Sequence, residues 1–338
     1  MRSTLIDIAR EAGVSSATVD RVLNNRPGVR TRTREVVTEV ARRMGYIASN
    51  GGSSPDDPAR LAFDFVLPAG TNSFIEELRQ QLHQQGNALR DVSATVHSIE
   101  GFNPFTLAEK LKELEGRSSG VGVVGIDHPA VREAMRSLAK SGTPVITLIS
   151  DIHHVPRAGY VGIDNRSAGR LAGYLMGRLL GPGDHKVALF AGSLSYRGHE
   201  EREMGFRHIL AEEFPNLEIV ELREMRDDRE KAFQEASALL DRHDDLAGIY
   251  NIGAGNQGIG RALKERNRGR SVVFVGHEAT EGNKALLLDG TLDAVIDQNP
   301  RVEAREALNI LTNSIRGLTC ELHPPRLQIV FRENIPEI

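Results

Sequence analysis

Three groups of residues in this 338-residue chain have the types and spacing to do chemistry. Ser15, Ser16, Ala17, Thr18 and Arg21 place small side chains, most of them hydroxyls, beside a guanidinium within about two helical turns. Such a set can reach base edges in a DNA groove, with Arg21 suited to guanine. Gly253, Gly255 and Gly258 spell G-x-G-x-x-G, with Glu278 twenty residues past the last glycine. That pattern cradles a dinucleotide pyrophosphate when it follows a strand and opens a helix. The third group is dispersed: Asn72, Phe74, Asp127, Ser150, Asp151, Tyr196, Arg197, Arg202, Asn251, His277, Glu278 and Gln298 lie at or beyond the ends of short β-branched runs. Amides, carboxylates and guanidinium groups pair with vicinal hydroxyls, and Phe74 can lie against the apolar face of a ring, so this group suits a polyhydroxy ligand.

The first group needs a helix to present it, and the sequence supplies one. Leu5, Ile8, Ala9 and Ala12 recur at helical spacing behind a capping Thr4, and Gly13 ends that run. Ser15 caps a second helix whose Val19, Val22 and Leu23 form one stripe, leaving Ser16, Ala17, Thr18, Asp20 and Arg21 to face outward or sideways. Two short helices around a glycine turn make a helix-turn-helix, whose second helix enters the major groove. Val36, Val37, Val40, Ala41 and Met44 predict a third helix closing a small core. Charge agrees. Residues 1–50 hold nine Arg against five Asp and Glu, a net of +4, whereas the remainder carries 33 basic and 41 acidic residues, a net of −8. A basic end on an acidic chain is what phosphate neutralisation asks for.

The second and third groups need strands. Residues 48–60 lose periodicity and fill with Gly, Ser, Asp and Pro, the composition of a linker. Beyond it, short apolar runs such as LAFDFVLP, GVGVVGI, KVALFAG and SVVFVGHE alternate with helical stretches, which predicts parallel sheets flanked by helices, and enough of them for two sheets. Ligands of such sheets lie beyond the carboxyl ends of the strands, where the dispersed polar group falls. The lone Cys320 has no companion for a disulfide or metal site, and His153 and His154 point apart on any extended backbone, so neither metal nor cofactor is expected. Charged residues interrupt the first dozen positions and no run approaches eighteen apolar residues, which points to a cytoplasmic protein without a membrane span.

Residues 4–46 resemble the headpiece of the lactose-repressor (LacI) family: Ile6, Asp7, Ala9, Ala12, Gly13, Val14, Ser15, Thr18, Val19, Arg21, Val22, Leu23 and Asn24 fall in register with its pattern, followed by Thr33, Arg34, Val37, Gly45 and Tyr46. The order of units from residue 61 to about 332 resembles the type I periplasmic sugar-binding fold that forms the effector domain of the same family, with TPVITL, VGIDNRSAGRLAG, EREMGF and DGTLDAVIDQNP as its recognisable stretches.

The resemblance implies a helix-turn-helix domain over 1–47, a linker over 48–60 and an effector-binding domain over 61–338. Its first lobe would run over about 61–163 and 293–323, and its second over about 164–292 and 324–338. It implies DNA contacts from Thr4, Ser15, Ser16, Ala17, Thr18, Arg21, Asn24, Arg30 and Thr33, and it favours Asn72, Phe74, Arg202, His277, Glu278 and Gln298 as sugar contacts. The function implied is a sugar-controlled repressor, not an enzyme, binding a pseudo-palindromic double-stranded operator as a homodimer. An NAD-dependent oxidoreductase using GAGNQG, or a cytoplasmic sugar-binding protein, are the alternatives. Three departures stand out. Asp20 replaces a usual Ser. Arg30 replaces a capping Ser, so that Thr31 is expected to cap one residue late. The linker lacks the N-x-x-A-R-x-L hinge-helix pattern, so no ordinary hinge helix is expected there.

Overall fold

The computed structural model describes residues 4–23, 28–44, 60–319 and 323–336. The chain divides into two units, Met1–Arg60 and Leu61–Ile338. In the first, α1 (Leu5–Glu11), α2 (Ser16–Leu23) and α3 (Thr31–Arg43) enclose a core of Ile8, Ala9, Val19, Val22, Val37, Val40 and Ala41. Helix α1 opens with a reciprocal cap in which the Thr4 side chain accepts from Asp7 N–H and the Asp7 carboxylate accepts from Thr4 N–H. Gly13, at φ +65°, makes the turn. Ser15 Oγ then accepts from Thr18 N–H at 3.2 Å. Two expectations are corrected. Val36 is exposed and lies off the core stripe, and α3 already begins at Thr31, which leaves Arg30 in the cap position. The hinge-helix expectation, Asn24 and Cys320 lie outside the described residues.

The second unit holds two sheets. In the first, β1 (Leu61–Ala69), β2 (Val92–Glu100), β3 (Gly120–Val123), β4 (Val145–Leu148) and β5 (Gly159–Val161) run parallel in the order β2-β1-β3-β4-β5. Their core is Phe63, Phe65, Leu67, Val121, Val123, Ile146 and Leu148, joined by apolar faces of α4 (Ser73–Ala88), α5 (Pro104–Leu114) and α6 (Pro129–Lys140). The second sheet runs β11-β10-β9-β8-β6-β7, built from β6 (His185–Ala191), β7 (Leu217–Glu224), β8 (Leu246–Asn251), β9 (Val273–His277), β10 (Ala294–Asp297) and β11 (Gln328–Val330). Among the described residues, β11 is the strand of this sheet that pairs antiparallel. With it go α7 (Asn165–Leu180), α8 (Arg197–Glu213), α9 (Arg229–Arg242), α10 (Asn256–Glu265) and α11 (Glu281–Asp289).

The lobe boundary expected at 292–293 is wrong by one strand. Strand β10 hydrogen-bonds to β9, so the chain leaves the second sheet only at Gln298–Asn299, and α12 (Pro300–Arg316) returns to the first lobe beside α4. The crossing of α7 and α8 fixes the start of the cleft. Helices α7 and α8 approach so closely that a Cβ on Gly169 would meet the Arg202 carbonyl at 1.9 Å, and one on Gly205 would meet the Arg166 carbonyl at 2.1 Å. Only glycine at both positions lets α8 bring Arg202 alongside Asn165 at the start of α7.

Candidate functional site

On the head, α2 presents Ser16, Ala17 and Arg21 to solvent, with Thr18 half-buried and its hydroxyl 2.8 Å from that of Ser15. Thr4 and Ser15 serve as caps. Arg30 is exposed and Thr33 half-buried. This is the surface expected of a groove-reading helix.

In the second unit, the carboxyl ends of the two sheets face one another across a cavity of about 140 Å³. Apolar walls come from Ile75, Phe102, Val124, Ile149 and Tyr196, and polar ones from Asn72, Ser150, Asn165, His199, Arg202 and Asp227. Arg202 is 3% exposed, donating Nε–H to Asn165 Oδ1 at 2.7 Å and Nη1–H to the Ile252 carbonyl at 2.9 Å. The Phe102 and Tyr196 rings, one from each lobe, meet edge to face at 5.4 Å. Burial pushes the Tyr196 hydroxyl up to about 12. Burial likewise holds His199 below its ordinary value, against the opposing pull of Asp227.

The lobes are latched around this cavity. Gly198 N–H donates to Ser150 Oγ at 3.1 Å, Asn165 Nδ2 to the Ile149 carbonyl at 3.0 Å, and Thr71 Oγ1 to the Asp227 carbonyl at 3.1 Å. Asp227 reaches this position through two successive left-handed residues, Arg226 (φ 53°) and Asp227 (φ 55°). Its Oδ1 accepts from Ala254 N–H at 2.9 Å in a niche that exists because positions 192 and 253 are glycine; a Cβ there would strike that oxygen at 2.3 and 2.6 Å.

A narrower side pocket shares Thr71 and Asn72 with the main cavity and is lined also by Phe74, His277, Glu278, Thr280 and Asn283. Gln298 Nε2 donates to Glu278 Oε1 at 2.6 Å. Burial lifts the Glu278 carboxyl to about 8, with Asp297 adding to the rise and Arg202 opposing it.

Of the residues expected to touch ligand, the structure brings Asn72, Ser150, Tyr196 and Arg202 to the main cavity, and Phe74, His277 and Glu278 to the side pocket. The others are corrected. Asp127 lines neither cavity; it pairs with Arg132 at 2.6 Å. Asp151 turns away to accept from Thr147, Ile152 N–H and Arg157. Arg197 pairs with Glu201 one helical turn on. Asn251 is fully buried, tying its own loop together through Ala254 O and Asn256. Gln298 acts through Glu278. Sequence reasoning missed Phe102, Asn165 and Asp227 as lining residues. The G-x-G-x-x-G run is occupied by protein: Gly253 gives room to Asp227, and Gly258 abuts the Arg229 carbonyl, at 2.1 Å from an added Cβ. Among the described residues, no cluster of three His, Cys, Asp or Glu is arranged to hold a metal, and no helix is long and apolar enough to cross a membrane.

Residues 63–319 match the periplasmic binding protein domain family, and residues 4–49 match the bacterial regulatory proteins of the lacI family. The chain belongs to the LacI family. Like other LacI-family proteins it is a DNA-binding transcriptional regulator with a periplasmic-binding-protein-like α/β body. It is similar to the HTH-type transcriptional regulator DegA of Bacillus subtilis, 25% identical over 72% of this chain and 71% of that one. It is also similar to the catabolite control protein A of Priestia megaterium, 26% identical over 63% of this chain and 62% of that one. The second alignment thus spans less than two thirds of its relative. In fold, a solute-binding protein from Burkholderia graminis C4D1M, solved in complex with D-arabinose, superposes with a TM-score of 0.77 at 21% identity, covering 84% of this chain and 99% of that one.

Proposed function

We propose that this regulator is a repressor whose hold on its operator is set by a single-ring sugar or related polyhydroxy compound bound between the two lobes. The cavity carries the reading. At about 140 Å³ it is close to the roughly 150 Å³ that takes one benzene ring, so it has room for one ring and not for two in the arrangement seen. Its lining has the edge-on aromatics, amides, guanidinium and carboxylate that grip vicinal hydroxyls. Bound ligand would add bonds between lobes already latched through Ser150, Asn165 and Asp227, and so shift the population between lobe arrangements. The head reads DNA through Ser16, Ala17, Thr18 and Arg21, and two copies in a homodimer read a pseudo-palindromic site. The domains remain those of the expectation, apart from β10, and the site of action is the cytoplasm.

The test has two arms. Selection of bound fragments from randomised DNA yields the operator, and a thermal-shift screen of monosaccharides on the full chain yields the effector. A monosaccharide that raises the melting temperature and changes operator affinity is the expected result. A protein that recovers no DNA sequence, or that no polyhydroxy compound stabilises, refutes the reading.

A further inference from the structure

The side pocket has a volume of about 20 Å³, against the 10–15 Å³ or so that admits one water-sized group. It therefore takes a single compact substituent of whatever fills the main cavity beside it. Three polar atoms of its lining residues are buried without a hydrogen-bond partner: Glu278 Oε2, Thr280 Oγ1 and His277 Nδ1. Thr280 and His277 are 5% and 1% exposed. The neighbouring amide donor is already spent, since Asn283 Nδ2 gives to the carbonyls of His277 and Glu278. Glu303, which does not line the pocket, is wholly buried with neither carboxyl oxygen partnered. It comes from α12 in the first lobe, yet it and Glu278 of the second lobe act on each other electrostatically.

The charged and titratable groups that act on this pair are Glu77 on α4, Tyr160 on β5, Arg202 on α8 and Asp297 on β10, with His277 of β9 next to Glu278 in the pocket wall. Arg229 of α9 lines the pocket but is solvent-exposed, where its charge is screened. Among the described residues, Arg202 is the buried cation that acts on both Glu278 and Glu303, and it leaves Glu278 Oε2 and Thr280 Oγ1 without a donor. A compact group with several N–H donors and a positive charge completes such a site; a hydroxyl offers one donor and no charge.

We propose that the effector is an amino sugar or similar ring-borne amine, and that its ammonium enters the side pocket and donates to Glu278 Oε2 and Thr280 Oγ1. This rests on the polyhydroxy-effector reading and narrows it. Proton balance gives the proposal a signature. With its carboxyl lifted to about 8, Glu278 carries a proton at neutral pH. An entering ammonium converts the acid to carboxylate, and that proton leaves to solvent. A neutral hydroxyl bonds to the protonated acid and releases nothing.

Titration calorimetry on the full chain at pH 7 compares glucosamine, galactosamine and mannosamine with the parent hexoses, their N-acetyl forms and hexose 6-phosphates, in phosphate and in Tris, whose ionisation enthalpies differ. One amino sugar is expected to bind about tenfold tighter than its parent, as a charge-assisted contact warrants, with release of about one proton. Glu278→Gln abolishes both the preference and the release. Thr280→Val, which removes one acceptor and no charge, weakens the preference and covers the case in which Glu278→Gln does not fold. Parent hexose, N-acetyl sugar or sugar phosphate binding as tightly as the amine overturns this proposal and leaves the sugar reading standing. The same holds for amine binding without proton release. If no ring compound binds at all, both readings fall.

Discussion

Replacing Arg202 by methionine tests whether one buried guanidinium organises the cleft. Methionine keeps most of the apolar stem and removes the charge and both donors, stranding Asn165 Oδ1 and the Ile252 carbonyl. Hydrogen bonds from a charged group contribute about 1.5–3 kcal/mol each, which gives roughly 3–6 kcal/mol for the two. Breaking a buried charge network usually costs about 3–5 kcal/mol, chiefly because a charge is left uncompensated. Here the neighbouring acids Glu278 and Glu303 are already pushed above their ordinary value by burial and can stay neutral without Arg202, so the lower end, about 3 kcal/mol, applies. At about 2–4 °C per kcal/mol for a domain of this size, the body's transition moves down by roughly 6–12 °C. Calorimetry of the full chain reads this directly, with Arg197→Met as the internal control. Arg197 pairs with Glu201 on a partly exposed helix face, an arrangement worth about 0–1 kcal/mol. Equal melting temperatures for the Arg202 variant and wild type, with an unaltered ligand response, would refute the assignment of Arg202 as the anchor of the cleft.

Stability without ligand should fall between pH 5.5 and 8. Glu278 has a folded value of about 8 against an ordinary 4.5, so its contribution is complete below 4.5 and is lost as pH rises towards 8, at no more than about 1.4 kcal/mol per pH unit; a Glu278→Gln melting series that keeps the wild-type slope would count against this. Arg21→Ala should weaken operator binding by about 1–3 kcal/mol if the guanidinium reads a guanine, and fluorescence anisotropy showing unchanged affinity would remove it from the recognition surface. Gly205→Ala should force α7 and α8 apart, because its Cβ would lie 2.1 Å from the Arg166 carbonyl; a loss of about 1–3 kcal/mol or more in urea unfolding is expected, together with weaker ligand binding, since the crossing positions both Asn165 and Arg202.

What the sequence revealed of this site follows from how local each cue is. Arg202 could be found because the EREMGF stretch that carries the family resemblance fixes its spacing to Gly205, and Gly205 sits at the helix crossing, a short-range constraint. Both caps of the head were legible for the same reason, since Thr4 reaches only to Asp7 and Ser15 only to Thr18. Asp151 and Asn251 misled because a polar residue at a strand end looks the same whether it faces a ligand or ties its own loop, and their partners, Arg157 and Asn256, lie within six residues. Phe102 was invisible for the opposite reason. Its ring meets Tyr196 from a left-handed backbone at φ 65°, a conformation no apolar pattern announces, against a partner 94 residues away in the other lobe. Asp227 is the extreme case. It sits in an unremarkable RDD run, and it reaches the cleft because Gly192 and Gly253, on two different strand ends, leave the volume its carboxylate fills. Those glycines include one from the G-x-G-x-x-G run, so the feature that suggested a dinucleotide loop serves to seat an acid of the chain itself. A Gly253→Ala variant would separate the two meanings. Displacing Asp227 should loosen the Thr71 and Ala254 latches and raise the population of open lobes, seen as a larger radius of gyration in solution scattering. An unchanged radius with an unchanged ligand affinity would show that the acid does not hold the cleft shut.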